Sequence, residues 1–451
     1  MVIITKKKCL VGTTLLFIII YCTIRTFNDS VRKISLYENS NSKSRLKQLW
    51  YMVQEEAVAH QQDVKPDFKP YFVRNATLNK GNSTVSKKLV EKQQQASASQ
   101  TLNASLPKTQ ARPLTQQQCN PRKNIAFFKM HKCSSSTVQN ILFRYGDEHN
   151  LNFVLPLQGN YLGYGLFDKH HIRPFNTKYY NILCHHTRFS YKGMLEVLPP
   201  DAVFVTILRD PVTMFESMFT YSKYDSLYKL TQYDDPLGQF LTNPNSYYES
   251  HGSKEHAKDP MLSDLGLLLD QKNNQDKIDS MILELSEQFN LVMITEYFDE
   301  SLILLKELMC WDFDDIVYFV LNARAQESVR DVSEKNAIKL REWNKGDVKL
   351  YNHFNKTFWE KIELFGKDRM SKEVEKLLKR KQYFEDLCIE SVVENDKRVW
   401  HPGGIKVESF RLKPSAFKNV VCNRLVRTEL PYTDFLKRKQ ILKFKTFVVD
   451  D

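Results

Sequence analysis

Apolar residues in this chain fall into blocks that switch between two periods. Asn124-Ile-Ala-Phe-Phe128 is a short unbroken apolar run, as expected of a strand buried on both faces. Ser/Thr-rich residues follow, and Val138, Ile141, Leu142 and Tyr145 then recur at helical spacing. The arrangement repeats twice. Val203-Phe-Val-Thr-Ile-Leu208 runs into Arg209-Asp-Pro and a helix around Met214–Met218, and Leu291-Val-Met-Ile-Thr295 runs into a helix over Ser301–Met309. Asn181-Ile-Leu-Cys184 is a further strand candidate. Strands alternating with helices predict an α/β fold with a central, mostly parallel sheet flanked by helices. Residues 326–400 are charged and mostly helical in pattern.

The N-terminal part follows other rules. Lys6-Lys7-Lys8 precedes an uncharged, mostly apolar run from Cys9 to Ile24, closed by Arg25. Such a run reaches about 24 Å as a helix, short of the roughly 30 Å hydrocarbon core of a bilayer. A thin early-secretory membrane or a few flanking residues close that gap. The preceding lysines keep the N-terminus cytoplasmic, and bulky Tyr21-Cys22-Thr23-Ile24-Arg25 offers no small-x-small cleavage site. A retained signal anchor is therefore expected in preference to a cleaved signal peptide. The expected organisation is a cytoplasmic tail over 1–8, a transmembrane anchor over 9–25, a largely disordered lumenal stem over 26–118 and a folded domain over 119–451. Gln93-Gln94-Gln95-Ala-Ser-Ala-Ser typifies the stem, which has little to bury. Leu46, Leu49, Trp50 and Val53 form a local exception, read as a marginal lone helix in preference to a homodimer contact.

Composition refines this picture. With 451 residues, 42% hydrophobic and 26% charged, most of the chain can bury a core. The net charge of +12 points toward nucleic acid, yet eleven of those charges lie before residue 119. The folded body is nearly neutral, which argues against a nucleic-acid partner. Sequons at Asn28, Asn75, Asn82, Asn103 and Asn355 agree with a lumenal compartment. Eight cysteines are too few for a disulfide-built scaffold. Some of the six beyond the apolar run should pair in an oxidising lumen, Cys388 with Cys422 being one expected pair.

Two turns carry the chemistry. After the first strand comes Lys129-Met-His-Lys132-Cys133-Ser134-Ser135-Ser136-Thr137, a strand–loop–helix unit suited to an anion. It lacks the glycines of the nucleotide-triphosphatase loop, so an ordinary ATPase or kinase is disfavoured. The bland alternative is a Ser-rich helix cap. After the later strand, Arg209-Asp-Pro and Ser217 can hold a second phosphate, the alternative being an Arg-Asp pair capping a helix. Together the two turns point to a nucleotide carrying separate 5′ and 3′ phosphate groups. His170-His171 has no metal-ligand spacing around it, and Asp312, Asp314 and Asp315 read as a helix cap in preference to a glycosidase pair.

K-x-x-S-x-[ST] joined to R-D-P-x(5)-S resembles the sulfotransferases that use 3′-phosphoadenosine 5′-phosphosulfate (PAPS). More narrowly, the chain is similar to the galactose 3-O-sulfotransferase family, from about Asn124 to at least Gly366. Phe128–Arg144, Cys184-His-His-Thr-Arg-Phe189, Val205–Ser217, Asp264-Leu-Gly266, Trp311–Tyr318 and Asn352–Trp359 carry the likeness. Met130, Cys133 and Ser134 replace the family's usual small residues. The resemblance implies a P-loop-like sulfotransferase fold and a Golgi type II membrane enzyme. It implies sulfuryl transfer to the 3-hydroxyl of a β-galactose on a glycolipid or glycoprotein acceptor, with PAPS as donor and no metal required. At matching positions it gives Lys132 the leaving-group charge, residues Cys133, Ser134, Ser135, Ser136 and Thr137 the 5′ cradle, and Arg209 and Ser217 the 3′-phosphate. His186 is the expected base, with His185 as substrate contact or alternative base, and His131 serves either the phosphates or loop packing. Two other readings stay open: a sulfotransferase of proteoglycan sugars, which a neutral body disfavours, and an inactive membrane-tethered glycan-binding protein.

Overall fold

The computed structural model describes residues 119–251, 254–325, 329–394, 396 and 405–445. The expected anchor, the stem, the Leu46–Val53 helix and the first four sequons lie outside the described residues. Among the described residues no helix is long and apolar enough to cross a membrane.

Four strands form the central sheet: β1 (Ile125–Phe128), β3 (Ile182–Leu183), β5 (Val203–Leu208) and β6 (Leu291–Ile294). Their order is β3-β1-β5-β6 and every pairing is parallel. Every residue of β1, β5 and β6 is buried, which is why each reads as an unbroken apolar run and not as an alternation. From β1 the chain visits β3 on one side and then β5 on the other. That reversal opens a crevice beyond the carboxyl ends of β1 and β5, the usual ligand position in open parallel sheets. A side pair, β2 (Tyr161–Leu166) with β4 (His186–Arg188), is also parallel. The antiparallel β7 (Ile389–Glu394) and β8 (Glu408–Leu412) form a separate hairpin-like sheet.

The helices that matter below are α1 (Ser135–Glu148), α2 (Pro211–Tyr221), α3 (Phe298–Met309), α4 (Lys345–Phe365), α5 (Lys367–Cys388), α6 (Val420–Val426) and α7 (Glu429–Lys445). Helix α2 starts as its sequence dictates, with Pro211 at the first turn and the Asp210 carboxylate accepting from the N–H groups of Val212 and Thr213. Helix α1 does not. Its Ser134 has left-handed backbone and makes no side-chain cap, so the Ser-rich stretch is not there to cap the helix. Asp312 and Asp315 cap the helical turn Phe313–Ile316 as expected, the Asp315 carboxylate accepting from Asp312 N at 2.9 Å.

Cys388–Cys422 forms, joining α5 to α6 and stapling a small satellite core of Val317, Phe319, Ala416 and Leu425. Cys119–Cys310, not anticipated from spacing, ties the first described residue to the end of α3. Cys133 and Cys184 are free and buried. Helix α7 lies against α1: Lys439 pairs with Asp147 at 2.6 Å, and the Gln440 amide exchanges two hydrogen bonds with the Phe153 backbone. His170 and His171 stand on a single 3-10 turn. Asn355 lies within α4, half-buried.

Candidate active site

The β1–α1 loop turns sharply because two ordinary residues adopt left-handed backbone, Lys132 and Ser134, both with φ of 57°. Each costs on the order of 1 kcal/mol, and such strain persists only where surrounding contacts hold it. Those contacts come from three directions. Arg209 Nη1, from the end of β5, donates to the Lys132 carbonyl at 3.1 Å, and its Nε donates to Thr213 Oγ1 at 3.1 Å. Thr295, just past β6, donates to the Cys133 carbonyl at 3.2 Å. Asp264 accepts from His131 N at 2.9 Å. The two turns singled out in the sequence are therefore one assembly.

Its cations are unusually crowded. The Lys132 ammonium sits 4.0 Å from the centroid of the Tyr221 ring. Its pKa is pushed down to about 8 by burial first, then by the charges of Arg324, Arg209 and Lys129. Arg324 is held by Glu216 of α2 through both carboxylate oxygens. Lys129 is buried and pairs with Glu429 at 3.0 Å, while reaching Ser135 and Ser136 at 3.4 and 3.3 Å. Lys132 and Arg209 have no carboxylate partner among the described residues. A site that brings cations together at this cost fits an anionic group supplied from outside.

The sequence-predicted residues divide. Lys132 and Arg209 meet at the crevice, Ser134 is exposed beside them in sequence, Ser136 accepts from Lys129, and buried Ser135 donates to the Met130 carbonyl. Cys133 is buried and its thiol pKa is raised by that burial, so it offers its backbone and no thiolate. Thr137 is already engaged, its hydroxyl accepting from Leu321 N at 3.2 Å and its N–H bonded to the Ser134 carbonyl. Ser217 lies buried on α2, beside the Glu216 that holds Arg324. His185 is fully buried, bonded to Thr433 of α7 at 3.0 Å, and burial drives its pKa down to about 3. That puts it in the core and not at the crevice.

His186 does reach the site. Its ring stacks on His131 with centroids 4.2 Å apart and 16° between planes, and Tyr161 continues the stack at 5.0 Å. Burial, then the Lys129 charge, lowers its pKa well below the ordinary imidazole range, and its Nδ1 has no hydrogen-bond partner. His131 is the better-connected ring. Its Nδ1 lies 2.9 Å from both carboxylate oxygens of Asp264, and its Nε2 lies 3.1 Å from the Tyr161 hydroxyl. His256 Nε2 contacts the same carboxylate at 2.7 Å. Burial raises the Asp264 pKa, but His131 and His256 outweigh it and hold the carboxyl well below its usual range. The ligand-type atoms of His131, His256 and Asp264 lie within 4.8 Å of one another, all engaged in this hydrogen-bonded cluster, and we assign no metal to it.

Local pattern could not have found Glu429, His256, Tyr161, Tyr221 or Arg324. Glu429 opens α7 some 300 residues after Lys129, and pairs across it with Asn160 at 2.5 Å. Asp264, which joins His131 to His256, was in view only within Asp264-Leu-Gly266, part of the family likeness with no role attached.

A family profile described as Galactose-3-O-sulfotransferase matches residues 65–440. The chain is 37% identical over 330 residues to galactosylceramide sulfotransferase of Mus musculus, covering 70% of this chain and 78% of the relative. The Bos taurus protein of the same name is 36% identical over the same shares. Galactose-3-O-sulfotransferase 2 of Sus scrofa is 34% identical over 340 residues, covering 71% of this chain and 85% of that one.

Proposed function

This chain belongs to the galactose-3-O-sulfotransferase family, and we propose that it is a sulfotransferase acting from PAPS on the 3-hydroxyl of a β-galactose residue. The acceptor is a glycolipid of the galactosylceramide kind or a glycoprotein glycan. One observation carries this reading. The Arg209–Lys132 bond brings both anion-reading turns together at the carboxyl ends of β1 and β5, beside the stacked imidazoles.

When bound, PAPS supplies the sulfuryl group and a phosphate leaving group. The chain's own residues do the rest by position and charge. Lys132 neutralises charge that develops on the departing phosphate oxygen. Ser134, Ser135, Ser136 and the backbone of Cys133 line the 5′ side, and Arg209 with Ser217 serves the 3′-phosphate. An imidazole of the His131–His186 stack takes the proton of the acceptor hydroxyl, and His186 is the ring expected from sequence. A sugar hydroxyl needs such a base near neutral pH. Tyr161 and Tyr164, stacked at 5.2 Å, offer an aromatic face to the sugar ring.

The fold is of the P-loop-like sulfotransferase kind, and the enzyme is a single-pass type II Golgi membrane protein with its catalytic domain in the lumen. The lysine-preceded apolar run supports the anchor, and two disulfides support an oxidising compartment. The test uses the detergent-solubilised full chain, ³⁵S-labelled PAPS and a panel of β-galactosides that includes galactosylceramide. Label should enter galactose and be blocked by prior 3-O-methylation. Binding of 3′-phosphoadenosine 5′-phosphate without transfer to any galactoside would overturn the acceptor, and a folded protein that binds no nucleotide would overturn the reaction class.

A further inference from the structure

Two stacked histidines face the crevice, and a single proton needs a single acceptor. We propose that His131 is that acceptor and that Asp264 is the positioning residue that makes it so, with His256 steadying the carboxylate and His186 serving as a neutral plate beneath. This rests on the sulfuryl-transfer reading above.

The argument starts from what each ring nitrogen can do. Asp264 is buried and ionised, so it only accepts hydrogen bonds. Lying 2.9 Å from His131 Nδ1, it requires the proton of the neutral ring to sit on Nδ1, leaving a bare lone pair on Nε2. The Tyr161 hydroxyl, 3.1 Å from that nitrogen, already shows the contact an acceptor hydroxyl would make. The groups that face His131 are Asp264, His256, Tyr161 and His186, and Asp264 is the one fixed charge among them.

The same carboxylate also holds the backbone. Asp264 accepts from His131 N, one residue before Lys132 enters its left-handed turn, so one side chain fixes both the ring and the loop that carries the leaving-group cation. Asp264 is itself anchored, its carbonyl accepting from Phe189 N at 2.9 Å just beyond β4. His186 is held by a hydrogen bond with the Lys129 backbone and not by a charge. No carboxylate contacts it among the described residues, its Nδ1 is unpartnered, and it is more deeply buried than the His131 side chain, which is 17% exposed.

In the step, the galactose O3–H proton passes to His131 Nε2 as the O3–S bond forms. The S–O bond to the nucleotide phosphate breaks with its electron pair on the phosphate oxygen, beside Lys132. The imidazolium that results is stabilised by Asp264.

The test uses the full chain in five forms: wild type, His131→Ala, Asp264→Asn, His186→Phe and His186→Ala. His131→Ala should lower kcat by about 10²–10⁴-fold and recover in part with added imidazole. Asp264→Asn should lower kcat by at least about 10²-fold, because an amide can favour the wrong tautomer, with acceptor KM and affinity for 3′-phosphoadenosine 5′-phosphate unchanged within about twofold. His186→Phe keeps a stacked ring, so its loss of kcat should be at least about tenfold smaller than that of His131→Ala and should not recover with added imidazole. Imidazole rescue of a dead His186→Ala, together with an active His131→Ala, would move the base to His186. Loss of nucleotide affinity in Asp264→Asn would make Asp264 structural. An independent readout is ¹⁵N-histidine NMR of wild type, where His131 should carry its proton on Nδ1. A proton on Nε2 overturns the proposal whether or not any galactoside is a substrate, whereas absence of transfer by wild type with the Nδ1 tautomer present counts against the acceptor alone.

Discussion

The two halves of the crevice solve opposite electrostatic problems. On the imidazole side, Asp264 serves His131 and His256 together, so those two rings find charge and hydrogen bonding within the protein. On the cation side, Lys132 sits among Arg209, Arg324 and Lys129 and is driven toward neutrality, with an aromatic ring in place of a carboxylate. The Asp264 cluster is complete as folded, whereas the cation side, in the reading proposed above, is completed by a ligand. A polyanionic donor should therefore reorganise the cation side and leave the imidazole side nearly unchanged, as preorganised catalysis requires.

The comparison can be broken most sharply at Lys132. Lys132→Ala should cut kcat/KM by about 10²–10³-fold, measured with saturating acceptor, because it removes the charge facing the leaving oxygen. A loss under tenfold would show that the cation side does not bear on the transition state. Next is Glu429, whose removal strands Lys129 as a buried unpaired charge. Glu429→Ala should destabilise the protein by about 3 kcal/mol in thermal or denaturant melts, and Lys129→Met in the same chain should recover most of it. No recovery would mean that Glu429 acts through some contact other than Lys129. Arg209→Ala should weaken 3′-phosphoadenosine 5′-phosphate by about 10–100-fold in calorimetry, with the melting temperature of the free protein almost unmoved.

Two pH effects sharpen the contrast further. In the role proposed for it Lys132 holds an anion only when charged, and burial with its cationic neighbours lets it lose its proton as pH rises through about 8 in the free protein. Nucleotide affinity should be level below that pH and fall by up to about tenfold per pH unit above it. An affinity level to pH 9.5 would place the binding charge elsewhere. The smallest effect concerns His185, which is held neutral by burial with a pKa of about 3. Its folded value lies below the unfolded value of about 6.5, so stability is full above pH 6.5 and declines as pH falls below it. His185→Gln should flatten that decline by about 1 kcal/mol at pH 5.5, read from melts across the range. An unchanged slope would show that His185 is not the group titrating.

Much of the molecule was legible in the chain. Three apolar runs became β1, β5 and β6, with the β5 bounds as read, because strands buried on both faces leave an unbroken hydrophobic trace. Lys132 and Arg209 were legible for a related reason: a strand end followed by a helix is a local unit, and its anion-binding groups lie within a few residues of one another. The pairing of Cys388 with Cys422 was also within reach, whereas Cys119 with Cys310 spans a sequence separation of 191.

The remaining features depend on contacts between distant segments. Nothing near Lys129 announces Glu429, and nothing near His131 announces His256 or Asp264, because a buried charge needs its counter-charge in space and not in sequence. The adjacent pair His185-His186 shows the same limit. In sequence the two are interchangeable, but alternation along an extended segment puts one against Thr433 in the core and the other on the His131 ring. The sequence by itself determined the central strands, the two strand–loop–helix turns and the family. Only the tertiary structure decided which imidazole has a carboxylate behind it, because electrostatic partnership falls off with distance through space and is indifferent to distance along the chain.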